Sequence, residues 1–177
     1  LTVIQDTINL VEKNRGIKVE YDKDMADPKV YKLWQDGNTS GVFQFESQGM
    51  TNFMKELKPD CLEDLIAGVS LYRPGPMDQI PRYIKGKQNP GHNEYTHPSL
   101  EPILNVTYGC MVYQEQVMQI VRELAGYSLG RADLVRRAMG KKKLDVMAKE
   151  REIFINGQLD ENGNVIVPGC VRNGIDE

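Results

Sequence analysis

Long apolar runs are missing from this 177-residue chain. No stretch approaches the ~20 apolar residues that cross a bilayer, and no leader-type segment opens it, so no membrane is expected. Cysteine is scarce. Cys61, Cys110 and Cys170 are far apart, odd in number and without a C-x-x-C. That argues against a disulfide framework and for reduced thiols in the cytoplasm. Histidine is scarcer still: His92 and His97 have no cysteine cluster nearby, so both are assigned to a polar loop and no zinc or other metal site is expected. A phosphate-cradling G-x-x-x-x-G-K-[ST] loop is absent as well. Gly140-Lys141 invites the match, but Val135 stands at the first glycine position and Lys142 at the last.

What is present is ordinary in bulk and unusual in one place. Forty per cent hydrophobic and 27 per cent charged residues describe a globular domain, with room at this length for a small appendage. The formal net charge is -3. Against that background, Leu129–Arg151 holds eight cations (Arg131, Arg136, Arg137, Lys141, Lys142, Lys143, Lys149 and Arg151) and only three carboxylates, Asp133, Asp145 and Glu150. A local positive field on an acidic chain points to a bounded polyanion site, a triphosphate or one stretch of nucleic-acid backbone. Leu134, Val135, Ala138 and Met139 recur at helical spacing. Ser128 suits an N-cap, and Gly140 suits a left-handed helix end. Asp133, Arg136, Arg137 and Gly140 then face away from the apolar stripe. Two guanidiniums would project together beside a turn that releases three lysines. The same residues also suit a solvated helix on which Asp133 pairs with Arg136 and Arg137 at i+3 and i+4.

The remaining pattern predicts short helices. Leu1, Ile4, Ile8 and Val11 make a stripe that ends near Gly16, and because Leu1 falls inside it the chain reads as cut from a longer one. Asp27-Pro28 starts a helix with Leu33 and Trp34 on its inner side. Met50, Phe53, Met54 and Leu57 form a core stripe stopped by Pro59. Asp60 and Glu63 suggest a capping box for a helix through Leu62, Leu65, Ile66 and Val69. Val117, Ile120, Val121 and Leu124 define another up to Gly126, and a last one runs from about Leu144 to Ile155. Short strands are expected at Val42–Phe45, Cys110–Tyr113 and Val165–Val167, the last after a hairpin turn at Asp160–Gly163. Residues 86–98 read as a surface loop. The fold class is mainly α with a few short strands, α+β.

Tyr72-Arg-Pro-Gly-Pro76 is the second unusual feature. Two prolines around a glycine stiffen and turn the backbone after Arg73. A guanidinium held there loses little entropy on binding a ligand. It would serve equally well to hydrogen-bond the last carbonyls of a preceding helix.

Five ordered stretches carry a resemblance: Gly41-Val-Phe-Gln-Phe-Glu-Ser47, Leu71-Tyr-Arg-Pro-Gly-Pro76, Tyr108-Gly, Tyr113-Gln-Glu-Gln-Val-Met-Gln-Ile120, and Gly126 to Lys143 followed by Met147-Ala-Lys149. Together they resemble the alpha subunits of bacterial DNA polymerase III, the C-family replicative polymerases. The resemblance covers roughly residues 1–156. It implies the N-terminal half of the fingers, an irregular helical subdomain, over 1–158, beginning at or near the palm/fingers junction. Residues 159–177 would be a hairpin-like insertion or the start of the next fingers segment. The family adds deoxynucleotides to a primer 3′-hydroxyl, with two magnesium ions held by palm aspartates. Those paired carboxylates are not matched. Asp22-Lys23-Asp24 has the spacing but polar neighbours, and reads as a turn and capping segment. The Mg2+ would therefore be held outside this chain, which alone should be inactive.

By the same resemblance Arg136 and Arg137 match the basic helix facing the incoming deoxynucleoside triphosphate, Arg73 lines the same pocket, and Lys141 extends the field. Lys142, Lys143 and Arg131 would face template-primer DNA. Tyr113, Gln114 and Gln116 would line the nascent base pair, although a buried tyrosine with a satisfied hydroxyl fits Tyr113 too. Palm, thumb and, through other regions, replisome components such as the sliding clamp are the implied partners. Two other readings remain open: a non-catalytic module that binds nucleic acid through one basic helix, and an interaction domain whose charged helix meets acidic partners.

Overall fold

The computed structural model describes residues 2–19 and 25–175 and divides into two compact units, Leu1–Leu65 and Ile66–Glu177. In the first, α1 (Thr2–Arg15) follows the predicted stripe, but no residue of this helix is buried. The Asp22-Lys23-Asp24 segment lies outside the described residues. Helix α2 (Pro28–Asp36) starts as its sequence dictates: the Asp27 carboxylate accepts the Lys29 N–H at 2.8 Å, and Gly37 closes it in the left-handed region. Its inner face differs from expectation. Leu33 is exposed and Tyr31 is buried. The i, i+3 pair Tyr31 and Trp34 forms the aromatic edge, with Trp34 meeting Phe45 edge-on at 5.6 Å.

The expected strand at Val42–Phe45 is a laced turn. Val42 donates to Thr39 and Phe45 to Val42, and the buried Thr39 hydroxyl donates to the Phe45 carbonyl at 2.7 Å. Local bonds use up the backbone groups a partner strand would need. Helix α3 (Gln48–Leu57) buries Met50, Phe53, Met54 and Leu57 as its spacing predicts. Helix α4 (Leu62–Leu71) is present, but its capping box is not Asp60 with Glu63. The Asp60 N–H donates to Asp64 Oδ2 at 3.1 Å, one residue further on, because Asp64 faces inward while Glu63 is exposed.

The second unit continues with a 3-10 turn (Pro76–Gln79), α5 (Ile80–Gln88), a loop, and α6 (Glu101–Leu104). It then has α7 (Gln114–Ala125), α8 (Leu129–Gly140), α9 (Leu144–Asn156), the strands β1 (Gln158–Leu159) and β2 (Val165–Val167), and α10 (Gly169–Arg172). The loop predicted from residue 86 begins later, since α5 runs to Gln88 before Asn89-Pro90 breaks it. Helices α7, α8 and α9 pack on one another, with Leu104, Val121, Leu124, Val135, Val167 and Cys170 in the core.

Cys110–Tyr113 forms no strand and pairs with none among the described residues. The buried Gln116 side chain takes its place, accepting the N–H groups of Val112 and Tyr113, both at 2.9 Å. The predicted hairpin is present. The Asp160 carboxylate accepts from the N–H groups of Asn162 and Asn164, and Gln158 faces Val167 in an antiparallel pair. Beyond it Gly169 has φ +78, and a Cβ there would lie 2.2 Å from the Gly157 nitrogen. Only glycine lets the chain cross itself so closely. The result is mainly α with a single two-stranded sheet among the described residues.

Candidate anion-binding site

Helix α8 begins where Ser128 caps it, the hydroxyl accepting the Arg131 N–H at 3.3 Å. Its buried residues are Ala132, Val135 and Ala138. This is narrower than the expected stripe. Leu134 and Met139 are 64% and 41% exposed, because small residues at i, i+3 and i+6 already bring α7 close. The helix end also differs. Gly140 is the last helical residue, and Lys142 is the one that turns left-handed, at φ 51.

Asp133 binds both arginines. Its Oδ1 accepts from Arg136 Nε at 2.9 Å and Nη2 at 2.8 Å, while Oδ2 lies 2.7 Å from Arg137 Nε. These contacts, the Arg136 hydrogen bonds first among them, hold the Asp133 carboxyl below its ordinary range. Arg136 also reaches across to α7, where Nη1 donates to Gln114 Oε1 at 2.9 Å. The pair is unequal: the Arg136 side chain is 31% exposed and that of Arg137 63%. One carboxylate neutralises one of two guanidiniums, so net positive charge remains at the surface. Lys141, Lys142 and Lys143 follow, all exposed and forming no ion pair among the described residues.

Arg73 sits on its turn as the prolines require. Its N–H donates to the Leu71 carbonyl at 2.7 Å, and Met77 N–H donates to its carbonyl at 3.1 Å. Its exposed guanidinium bonds no helix carbonyl and no carboxylate among the described residues. Gly75 and Pro76 of this turn and Met139 of α8 border one cleft of about 640 Å³. The structure thus brings the turn and the basic helix to the same hollow. Arg73, Arg136, Arg137 and Lys141 are not in its wall, and its one lining cation is Arg82. Arg137 is the more exposed of the two α8 guanidiniums and Arg136 the more covered.

Three other expected site residues are held in different ways. Arg131 chelates Glu150, with Nε to Oε2 at 3.2 Å and Nη2 to Oε1 at 3.1 Å, and lies 5.1 Å from the Tyr127 ring centre. The Tyr127 hydroxyl donates to Glu150 Oε2 at 2.9 Å, and burial followed by that contact raises its pKa. Arg131 therefore binds α8 to α9. Gln116 is 4% exposed, and all its hydrogen-bonding capacity is engaged. Besides the two N–H groups, its Nε2 donates to Thr107 Oγ1 at 2.8 Å and to the Ile103 carbonyl at 3.2 Å. It holds the fold instead of facing a base pair. Tyr113 is half-buried at the start of α7.

One side-chain group can be set against the needs of a magnesium ion. The one group of three or more potential metal ligands among the described residues joins Asp60, Asp64 and the soft Cys61 thiol, and Asp64 is 1% exposed with Oδ2 accepting the Asp60 N–H. Magnesium requires hard oxygens in octahedral array and keeps several waters.

Comparison with known proteins decides the family. The sequence profile of the bacterial DNA polymerase III alpha subunit finger domain matches residues 1–162. The chain belongs to this family. DNA polymerase III subunit alpha of Thermus aquaticus is 50% identical over 163 residues, which is 89% of this chain and 13% of the Thermus protein. The same subunit of Staphylococcus aureus strain COL is 47% identical over 158 residues, 89% of this chain and 15% of the relative. The chain thus spans about a seventh of the length of these relatives. Among the described residues, no helix of this finger domain is long and apolar enough to cross a membrane. One basic group lies outside the residues expected from the sequence: Arg82, Lys85 and His92. Its signal is in the sequence, because Gln79–Asn93 carries Arg82, Lys85 and Lys87 as well as His92, and no acid.

Proposed function

We propose that this finger domain serves a DNA-directed DNA polymerase, a nucleotidyltransferase of DNA replication, by gripping the incoming deoxynucleoside triphosphate. Arg136 and Arg137 take the phosphates, with Arg73 and Lys141 adding charge, while Lys142 and Lys143 contact template-primer DNA. The carrying observation is the pair of guanidiniums joined by Asp133, Arg137 largely exposed and Arg136 partly so, in a chain half identical to polymerase alpha subunits. A triphosphate carries more negative charge and more acceptor oxygens than one carboxylate, so it can compete for the same donors. Gln114 keeps Arg136 aligned in the meantime, and Arg137, more exposed, is the first to reach the ligand. Gln114 thereby acts through Arg136, and Tyr113 stands next to it at the edge of the nascent base-pair region.

Magnesium ions held by palm aspartates outside this chain would polarise the attacking hydroxyl and stabilise the leaving oxygens. This chain's own residues bind, orient and test charge. Palm, thumb and the sliding clamp complete the assembly through other regions, and the reduced thiols Cys61, Cys110 and Cys170 agree with the cytoplasm.

In the intact polymerase, Arg136→Ala or Arg137→Ala should weaken apparent nucleotide affinity about 10- to 100-fold, the worth of a charged hydrogen bond. Primer–template affinity should change little. A collapse of DNA affinity with unchanged nucleotide affinity would favour the non-catalytic nucleic-acid module instead, a reading supported by the unpaired run Lys141–Lys143.

A further inference from the structure

A second positive centre lies on α5 and the loop after it. Arg82 and Lys85 are three residues apart and share a helix face. The loop folds back over them. Arg82 Nη2 donates to the Glu94 carbonyl at 2.8 Å, and the Asn89 side-chain amide donates to the Lys85 carbonyl at 3.0 Å. This return needs glycine at 86, where a Cβ would lie 2.4 Å from Tyr108 Cβ and 2.8 Å from Asn93 Oδ1. Between helix and loop is a hollow of about 430 Å³ lined by Arg82, Lys85, Asn89, His92, Asn93 and Tyr108. Glu94 is the one acidic residue in its wall, and it is its main-chain carbonyl that engages Arg82. Arg82, Lys85 and His92 form no ion pair among the described residues.

The hollow is open-ended. A neighbouring one of about 290 Å³ shares Asn93 and Tyr108 with it and adds Tyr95, Asn105 and the exposed Glu101, whose carboxylate leaves room for base and sugar there and places the phosphate at the Arg82 end. The Tyr108 ring is braced edge-on against the buried Tyr83 at 5.0 Å. Cations and amide donors at one end suit phosphate oxygens. A fixed aromatic wall leading onward suits a sugar and base, and the continuation suits a strand better than a terminal small molecule.

We propose that the α5 hollow is a second phosphate-binding site, which holds a backbone phosphate of a bound nucleic-acid strand on Arg82, Lys85 and His92. The source of the phosphate rests on the polymerase reading above; recognition of phosphate rests on the hollow alone.

The test uses the intact polymerase with Lys85→Gln and His92→Gln together. Both side chains lack ion pairs among the described residues, so the fold should survive, which a thermal melt verifies. Primer–template affinity is measured over a series of salt concentrations. Each phosphate contact adds about 0.9 to the slope of log affinity against log salt, so the variant should lose up to about one unit of slope. Its affinity at low salt should fall roughly three- to tenfold, alike for all sequences, with apparent nucleotide affinity unchanged. An unchanged slope overturns the proposal. A fall in nucleotide affinity at constant slope also overturns it, by assigning the phosphate to the free nucleotide. Arg136→Ala, measured alongside, reports on the α8 site separately, so failure of either assignment is visible without the other.

Discussion

Asp133 sets the behaviour of the site at the scale of single residues. Its folded pKa is depressed by the Arg136 hydrogen bonds and by the charges of Arg137 and Arg136. A depressed carboxylate stabilises the fold above its ordinary, unfolded pKa, and that contribution is lost as pH falls through the depressed value. The pairing therefore persists unchanged through neutral pH. Titrating the Asp133 carboxyl resonance should give a midpoint below the ordinary carboxylate value, moving back toward it when Arg136 is replaced by Ala. A midpoint at the ordinary value in the native protein would mean that the contacts in solution are not those described. The i+3 and i+4 spacing was legible in the sequence, because neighbours on one helix follow from its period. What Arg131 and Gln116 do was not legible, since Glu150 and Thr107 reach them only through tertiary packing.

Among elements, glycine and proline punctuation proved most informative. Asp27-Pro28 and Ser128 start helices where expected, and Asp160–Gly163 turns the hairpin. The two strands expected near Phe45 and Cys110 failed for one shared reason. Short apolar runs do not reveal where backbone hydrogen bonds go, and here a threonine hydroxyl or a glutamine amide intercepts them. The hairpin itself depends on the crossing at Gly169. Gly169→Ala would force a Cβ against main-chain atoms that no rotamer can move, at a left-handed φ. A loss of at least ~2 kcal/mol is expected, lowering the melting temperature by roughly 4–8 °C. Val165→Ala, at an exposed position of the same hairpin, should change it little. Equal effects from the two substitutions would show that the crossing is not the constraint.

For the whole molecule, family membership was legible because five motifs occur in order, although each is short. The division near Leu65 was not, since it runs through the continuous helix α4 with no linker composition to mark it. The purified chain should fail to incorporate nucleotides with any divalent ion, because its sequence has no match to the family's paired palm carboxylates. A radiolabelled primer-extension assay checks this, and any extension above background would relocate the chemistry into this domain.

The arrangement along α8 has a mechanical consequence. Arg131 bolts the root of this helix to Glu150 of α9, whereas Arg137 and the three lysines beyond it hang over solvent. The root of the helix is thus tied by side chains to its neighbour, while the charge beyond Arg137 is presented outward. An arriving anion would therefore meet mobile side chains on a backbone whose base is already fastened.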